Sequence, residues 1–247
     1  MTPISGAQTH SIAPWAYWHA RLMVLAWAFV LPMGVMAARF FKVTPGQDWP
    51  QVKDNKAWWR AHRCLQYTGV IAMLFGLYLA WGQGSGRTAA ALWHARLGWT
   101  VVALGVLQIG VAWGRGSKGG PTDPRMAGDH YDMTPWRTTF EWTHKAGGYL
   151  ALLIAVAAVF TGLTAADAPR WMWLAIGLWW ISLVMVFVVM QRQGRCMDTY
   201  QAIWGPDTGT EASRKRPTGW GVRRYAASEW TTKFGPARQG PQRPTKQ

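Results

Sequence analysis

Cysteine and acidic side chains are both scarce in this chain. Its 247 residues include two cysteines, and 11 Asp or Glu stand against 26 Lys or Arg. Cys64 and Cys196 are not spaced for a metal site or for a C-x-x-C-H attachment motif, and both read as plain thiols. No catalytic carboxylate pair, nucleophile–base set or phosphate-binding loop appears, which removes the commonest hydrolytic and phosphoryl-transfer chemistries. The segment before Trp15 has no basic n-region, so the first apolar run is not expected to be a signal peptide. Charge is missing altogether from Pro32 to Ala38 and from Val101 to Val111.

What is abundant is apolar surface. Half of the residues are hydrophobic and 19 are tryptophan. The apolar residues collect in five runs, at about 18–41, 58–81, 92–113, 142–164 and 170–191. Each has about the 20 residues that a helix needs to cross a hydrocarbon core about 30 Å thick. Aromatic residues flank them, as interfacial anchors do. A soluble bundle would instead show charged faces at helical spacing. The expected fold is an all-α membrane protein with five transmembrane helices: a four-helix bundle, a fifth helix and a basic tail. Residues 1–17 form a polar leading segment, 18–192 the membrane domain, and 193–247 a tail expected to be largely disordered or draped on lipid. Within it, 197–204 has the pattern of a short interfacial helix. The third loop, with Gly119-Gly120-Pro121 and Pro124, reads as a turn and not a helix.

The basic residues are unevenly shared between the two sides. One side receives only Arg21, Arg87, Arg96 and Arg170, and all the others fall on the side of the first loop, third loop and tail. The positive-inside rule therefore places the N-terminus outside and the C-terminus in the cytoplasm, in a bacterium the periplasmic and cytoplasmic faces of the inner membrane. The net charge of +15 is mostly this asymmetry and calls for no nucleic acid; the basic tail is placed to touch anionic lipid headgroups.

Four histidines recur in two alternating contexts. Trp-His-Ala-Arg-Leu occurs at 18–22 and again at 93–97, and carries His19 and His94. His62 and His144 are each followed by a basic residue, Arg63 or Lys145, and by a tyrosine five positions on. Alternating crossings put His19 and His94 at one depth, and His62 and His144 at the other, roughly 20 Å apart. A bare metal held by two imidazoles would lack ligands. A haem brings four equatorial nitrogens and asks the protein only for axial ones. Gly69, Gly98 and Gly148 follow their histidines by seven, four and four positions, on the same helix face, where a missing side chain would admit a flat ring. Arg21, Arg96, Arg63 and Lys145 are placed either to pair with haem propionates or to serve as interfacial anchors. His10 and His130 lack this context and are expected to be solvated. A loop metal at Asp129, His130 and Asp132 is a weak alternative.

These residues resemble the cytochrome b561 family from about Trp18 to Trp204. The resemblance is carried by His19-x-x-Leu22-Met23, Leu31-Pro32-Met33-Gly34 and Ala38-Arg39-Phe40. It continues through Trp59-x-x-His62-x-x-x-Gln66, His94-x-x-x-Gly98 with Gln108, and His144-Lys145-x-x-Gly148-Tyr149. It implies two non-covalent b haems, held by the pairs His19/His94 and His62/His144, and electron transfer across the bilayer. Family members with six helices have one before the first ligand helix, whereas this chain is expected to start at it, with no ascorbate-type or catechol-binding extracellular domain. Arg39 and Lys42 resemble the family's basic residues where an anionic donor such as ascorbate docks. Positive-inside anchoring accounts for them equally well. Three functions are open: a di-haem carrier between redox partners on the two sides, a membrane anchor and relay subunit of a larger oxidoreductase complex, and a metal or haem transporter. The resemblance also makes a homodimer worth testing.

Overall fold

The computed structural model describes residues 2–6, 12–84 and 88–235. His10 and Arg87 lie outside the described residues. Five helices are long and apolar enough to cross a membrane: α1 (Pro14–Phe40), α2 (Ala57–Ala80), α3 (Ala89–Trp113), α4 (Pro135–Ala165) and α5 (Arg170–Arg192). Among the described residues no strands occur, only two isolated bridges. The chain is thus an all-α integral membrane protein.

Helix α4 starts seven residues before its apolar run. Thr134 caps it by accepting from the Arg137 N–H at 3.2 Å, and Pro135 fills the first turn, where its missing donor costs nothing. Helix α1 also opens on a proline, Pro14, but Ala13 before it offers no side-chain cap. It loosens into a π-helical stretch at Leu25–Val30, just ahead of Pro32. Proline has no N–H to offer the carbonyl four residues back, that of Ala28. The Trp179 indole N–H on α5 donates to this carbonyl at 2.7 Å and ties α5 to the bundle.

Helix α1 packs along α2, and α3 along α4, around Trp27, Leu31, Met73, Val101, Val102, Ala151 and Ala155. Glycines set the close crossings. A side chain at Gly69 would meet Leu31 at 2.6 Å, and one at Gly105 would meet Met73 at 3.1 Å. No residue of α5 is buried. Leu174, Leu178, Ile181 and Val184 are exposed, which suits a helix facing lipid tails and would be costly in water.

The two ends of the bundle differ. At one end Ser5 donates from its N–H to Asp167 at 2.9 Å, pinning residues 2–6 to the α4–α5 turn. At the other, residues 41–56, 114–134 and 193–235 fold into a cap, which includes α6 (Thr199–Trp204), α7 (Glu211–Arg214) and α8 (Ala227–Phe234). Val43, Trp49, Met197, Ala202, Tyr225 and Trp230 form its apolar centre. The Asp198 N–H donates to the Arg223 carbonyl and the Arg223 N–H to the Cys196 carbonyl, both at 2.9 Å. The expectation of a largely disordered tail is therefore corrected for 193–235, while 236–247 lie outside the described residues. Aromatic residues at 200, 204, 225 and 230 are too few to show a period, yet two loops are present to bury them.

Candidate functional site

The structure brings the four repeated histidines together as two pairs. The His19 and His94 rings are 5.9 Å apart between centres and 88° apart in plane. The His62 and His144 rings are 6.3 Å and 84° apart. Each pair joins two helices that are not the pair's closest packing partners: α1 with α3, and α2 with α4.

Backbone carbonyls orient three of the four rings. Nδ1 of His19 bonds the Gly76 carbonyl at 2.8 Å, Nδ1 of His62 the Gly34 carbonyl at 2.9 Å, and Nδ1 of His94 the Ala158 carbonyl at 2.8 Å. An imidazole held through Nδ1 keeps Nε2 for a metal. Nδ1 of His144 is buried without a hydrogen-bond partner, and the ring stacks on Phe140 with centres 5.4 Å apart. On α1, fifteen residues separate His19 from Gly34, and on α4, fourteen separate His144 from Ala158. Both spacings put the two levels about 22 Å apart.

The donor set fits haem iron. Imidazoles whose centres are about 6 Å apart leave room for one metal with a bond of about 2 Å to each. A cavity of about 450 Å³ opens at the His62/His144 level, within the range of cofactor sites. Trp27, Leu31, Val70 and Leu152 line its apolar part, and Arg39, Lys42, Arg63, Arg115, Arg137 and Lys145 its charged end.

The glycines divide by role. A side chain at Gly98 would meet nothing within 4 Å, and one at Gly148 only Gln108 Oε1 at 3.9 Å, so both leave open space. Gly69 does not: it permits the α1–α2 crossing against Leu31, and its assignment as a ring slot is corrected. Gly162 was not singled out in the sequence, yet a Cβ there would lie 2.8 Å from His94 Cε1. Gly34 and Gly76 were also missed as the carbonyls that hold two rings. Gly76 showed only as a glycine inside an apolar helix, and Gly34 only as part of a quoted motif with no role attached.

The cations are engaged in different ways. Arg21 lies over the Tyr17 ring at 3.8 Å and hydrogen-bonds its hydroxyl. Arg96 lies over Trp93, and Arg63 over Trp59 and Tyr67. Lys145 donates to Glu141 Oε2 at 2.7 Å, and Arg137 to Glu141 Oε1 at 3.1 Å. Arg39 donates to Tyr149 at 2.9 Å, Gln191 at 2.8 Å and the Trp220 carbonyl at 2.9 Å. Lys42 donates to the Met197 carbonyl at 3.0 Å, and burial lowers its ammonium to about 8. Both are buried under the cap and are not open surface anchors.

His130 is not solvated; it is 2% exposed. The Trp204 indole donates to its Nδ1 at 3.3 Å, so Nε2 carries the proton and faces Glu141 Oε1 at 3.8 Å. Burial, with Arg137 nearby, lowers the imidazole to about 3 and keeps it neutral. Asp129 accepts from the Ser117 N–H at 2.9 Å and from Thr134 at 3.1 Å, and Asp132 from the Gly128 N–H at 2.6 Å. These carboxylates build the loop, and no metal-ligating cluster of three occurs among the described residues.

A family model described as eukaryotic cytochrome b561 matches residues 18–114, which hold His19, His62 and His94. The chain belongs to the cytochrome b561 family. This membership implies haem b as the cofactor. The chain is 33% identical to ferric-chelate reductase 1 of Homo sapiens over 145 residues, covering 59% of this chain and 22% of that protein. It is 26% identical over 183 residues to a cytochrome b561, DM13 and DOMON domain-containing protein of Arabidopsis thaliana, covering 72% of this chain and 18% of that one. The b561-like chain thus spans about a fifth of the length of these relatives. No solved structure matches it.

Proposed function

We propose that the chain carries electrons across the membrane between two b haems, the inner held by His62 and His144 and the outer by His19 and His94. The observation that carries this reading is the pairing itself: two histidine pairs, each near 6 Å between ring centres, stand at opposite ends of one bundle. If bound, haem would supply a one-electron couple, with His19, His94, His62 and His144 as the residues that would hold it. The chain does the rest. The carbonyls of Gly76, Gly34 and Ala158 fix three ring orientations and would hold those imidazoles ready for a metal. Trp27, Met73, Val101 and Ala155 fill the layer between the levels and keep water out of it. Arg39, Arg63, Arg115 and Lys145 supply positive charge where inner carboxylates would lie. Arg21 and Arg96 do so for the outer pair once they turn from their aromatic neighbours.

The excess of basic residues on the cap side supports a cytoplasmic cap and an outer N-terminus, which in a bacterial inner membrane is periplasmic. Electrons then pass between a cytoplasmic-side and a periplasmic-side redox partner. The names of the relatives favour a ferric chelate as one outer acceptor, and their greater length favours a core that works with further domains or as a subunit of a larger complex.

The test uses the purified chain in sealed vesicles that hold trapped ferricyanide. Reductant added outside should bleach the trapped ferricyanide, and His62→Ala should slow this at least about tenfold. Equal rates with protein-free vesicles would contradict the reading.

A further inference from the structure

Residues 218–222 run past the charged end of the inner cavity, which Val222 helps to line, and two of their carbonyls bond cations of its lining. The Thr218 carbonyl accepts from Lys145 on α4 at 2.7 Å, and the Trp220 carbonyl from Arg39 on α1 at 2.9 Å. The Gly221 carbonyl accepts from Gln191 on α5 at 2.7 Å. One short segment thus bridges three helices. Gly219 and Gly221 have φ of +116° and +66°, values that side chains rarely allow. A Cβ on Gly221 would sit 2.7 Å from Gln191 and 3.4 Å from Arg39, so the segment lies flat on these groups. Trp220 itself is 77% exposed and contributes no buried anchor. Beyond Val222 the chain is held again through Arg223 and Cys196.

The chemistry beneath this segment is unbalanced. Glu141 is the one carboxylate among the residues lining the cavity, against six cations. Arg39 has only neutral oxygens as partners, and Lys145 divides its donors between the Glu141 carboxylate and the neutral Thr218 carbonyl. A neutral carbonyl binds a guanidinium or ammonium more weakly than an anionic oxygen does.

We propose that residues 218–222 form a strap that competes with carboxylate ligands for Arg39 and Lys145, and so gates the inner site from the cap side. Closed, the strap keeps small carboxylates off both cations. Open, it exposes both to a ligand carboxylate. That carboxylate has two possible sources, a haem propionate and a free carboxylate from solution. The competition rests on the contacts above; its effect on electron flow rests on the haem reading of the inner pair.

Amide hydrogen exchange tests the strap on the full chain in nanodiscs. It is run on haem-free and haem-loaded protein, each with malonate or with sodium chloride at equal ionic strength. Haem content is read separately by absorbance, so failure of the haem reading is seen independently. Malonate is expected to speed exchange at 219–222 at least about fivefold. Gly219→Ala with Gly221→Val, which disturbs the strap and leaves both cations in place, should tighten malonate binding about tenfold, and adding Arg39→Gln should remove that gain. Loosening by haem loading alone would identify propionate as the competing carboxylate and also support the strap. Unchanged exchange under haem and under malonate, with equal malonate affinity in parent and variant, would overturn it.

Discussion

The two histidine pairs, His19/His94 at the proposed outer level and His62/His144 at the proposed inner one, share a ring geometry and differ in nearly everything around it. At the outer level both rings are tied by Nδ1 to carbonyls, and Gly162 leaves no slack beside His94. Arg21 and Arg96 turn toward their own helix's aromatics. At the inner level His62 is tied but His144 Nδ1 has no partner, while a buried carboxylate, a ring of cations and a folded cap close over the pair. A repeated helix motif can thus specify ligand spacing, while the loops that follow decide how charged and how accessible each site becomes.

The largest expected contrast comes from Gly162→Val. Its side chain would displace the His94 ring, and haem at the outer level should fall more than about tenfold while the inner level keeps its own, read by quantitative absorption. Glu141→Gln acts at the other end. It leaves Arg137 and Lys145 without their shared buried anion, a loss worth about 3–5 kcal/mol in a buried network. Thermal unfolding should shift accordingly, and the inner potential should rise because a negative charge that opposed electron uptake is gone; the outer potential should not move. Trp230→Ala empties the centre of the cap at a cost of about 3 kcal/mol. Protease should then cut within 193–235 while the outer pair is unaffected.

The first two of these effects separate what the residues announced from what only folding revealed. The five crossings and the four histidines were legible because apolar length and a repeated pentapeptide survive without tertiary context. Pairing by depth followed from alternating crossings alone. Gly162 was not legible, because nothing local distinguishes a glycine beside an imidazole from one at a helix crossing, and Gly69 was misjudged for the same reason. His130 was expected to be solvated, and nothing in the sequence drew attention to Glu141. The burial of His130 depends on Tyr200 and Trp204, far later in the chain, folding back over it. The helix starts at Pro14 and Pro135 were written in prolines outside the apolar runs, and at the second also in the Thr134 cap.

The smallest effect is one of pH. Lys42 is lowered by burial to about 8 from 10.5, so between these values the unfolded cap holds a proton that the folded cap has released. Stability of the cap should therefore rise with pH across that window, by about 1 kcal/mol from pH 8 to 9. Denaturant titration followed through the cap would detect it, and Lys42→Met should flatten the slope. The outer pair has no such buried lysine and should show no matching trend.

The most direct measurement is haem content, with reduced-minus-oxidised spectra, on detergent-purified chain beside His62→Ala and His94→Ala. Two b haems per chain, with each substitution removing one and leaving the other's spectrum intact, is the predicted result. A single haem in the parent, or a substitution that removes neither, would contradict the two-level account.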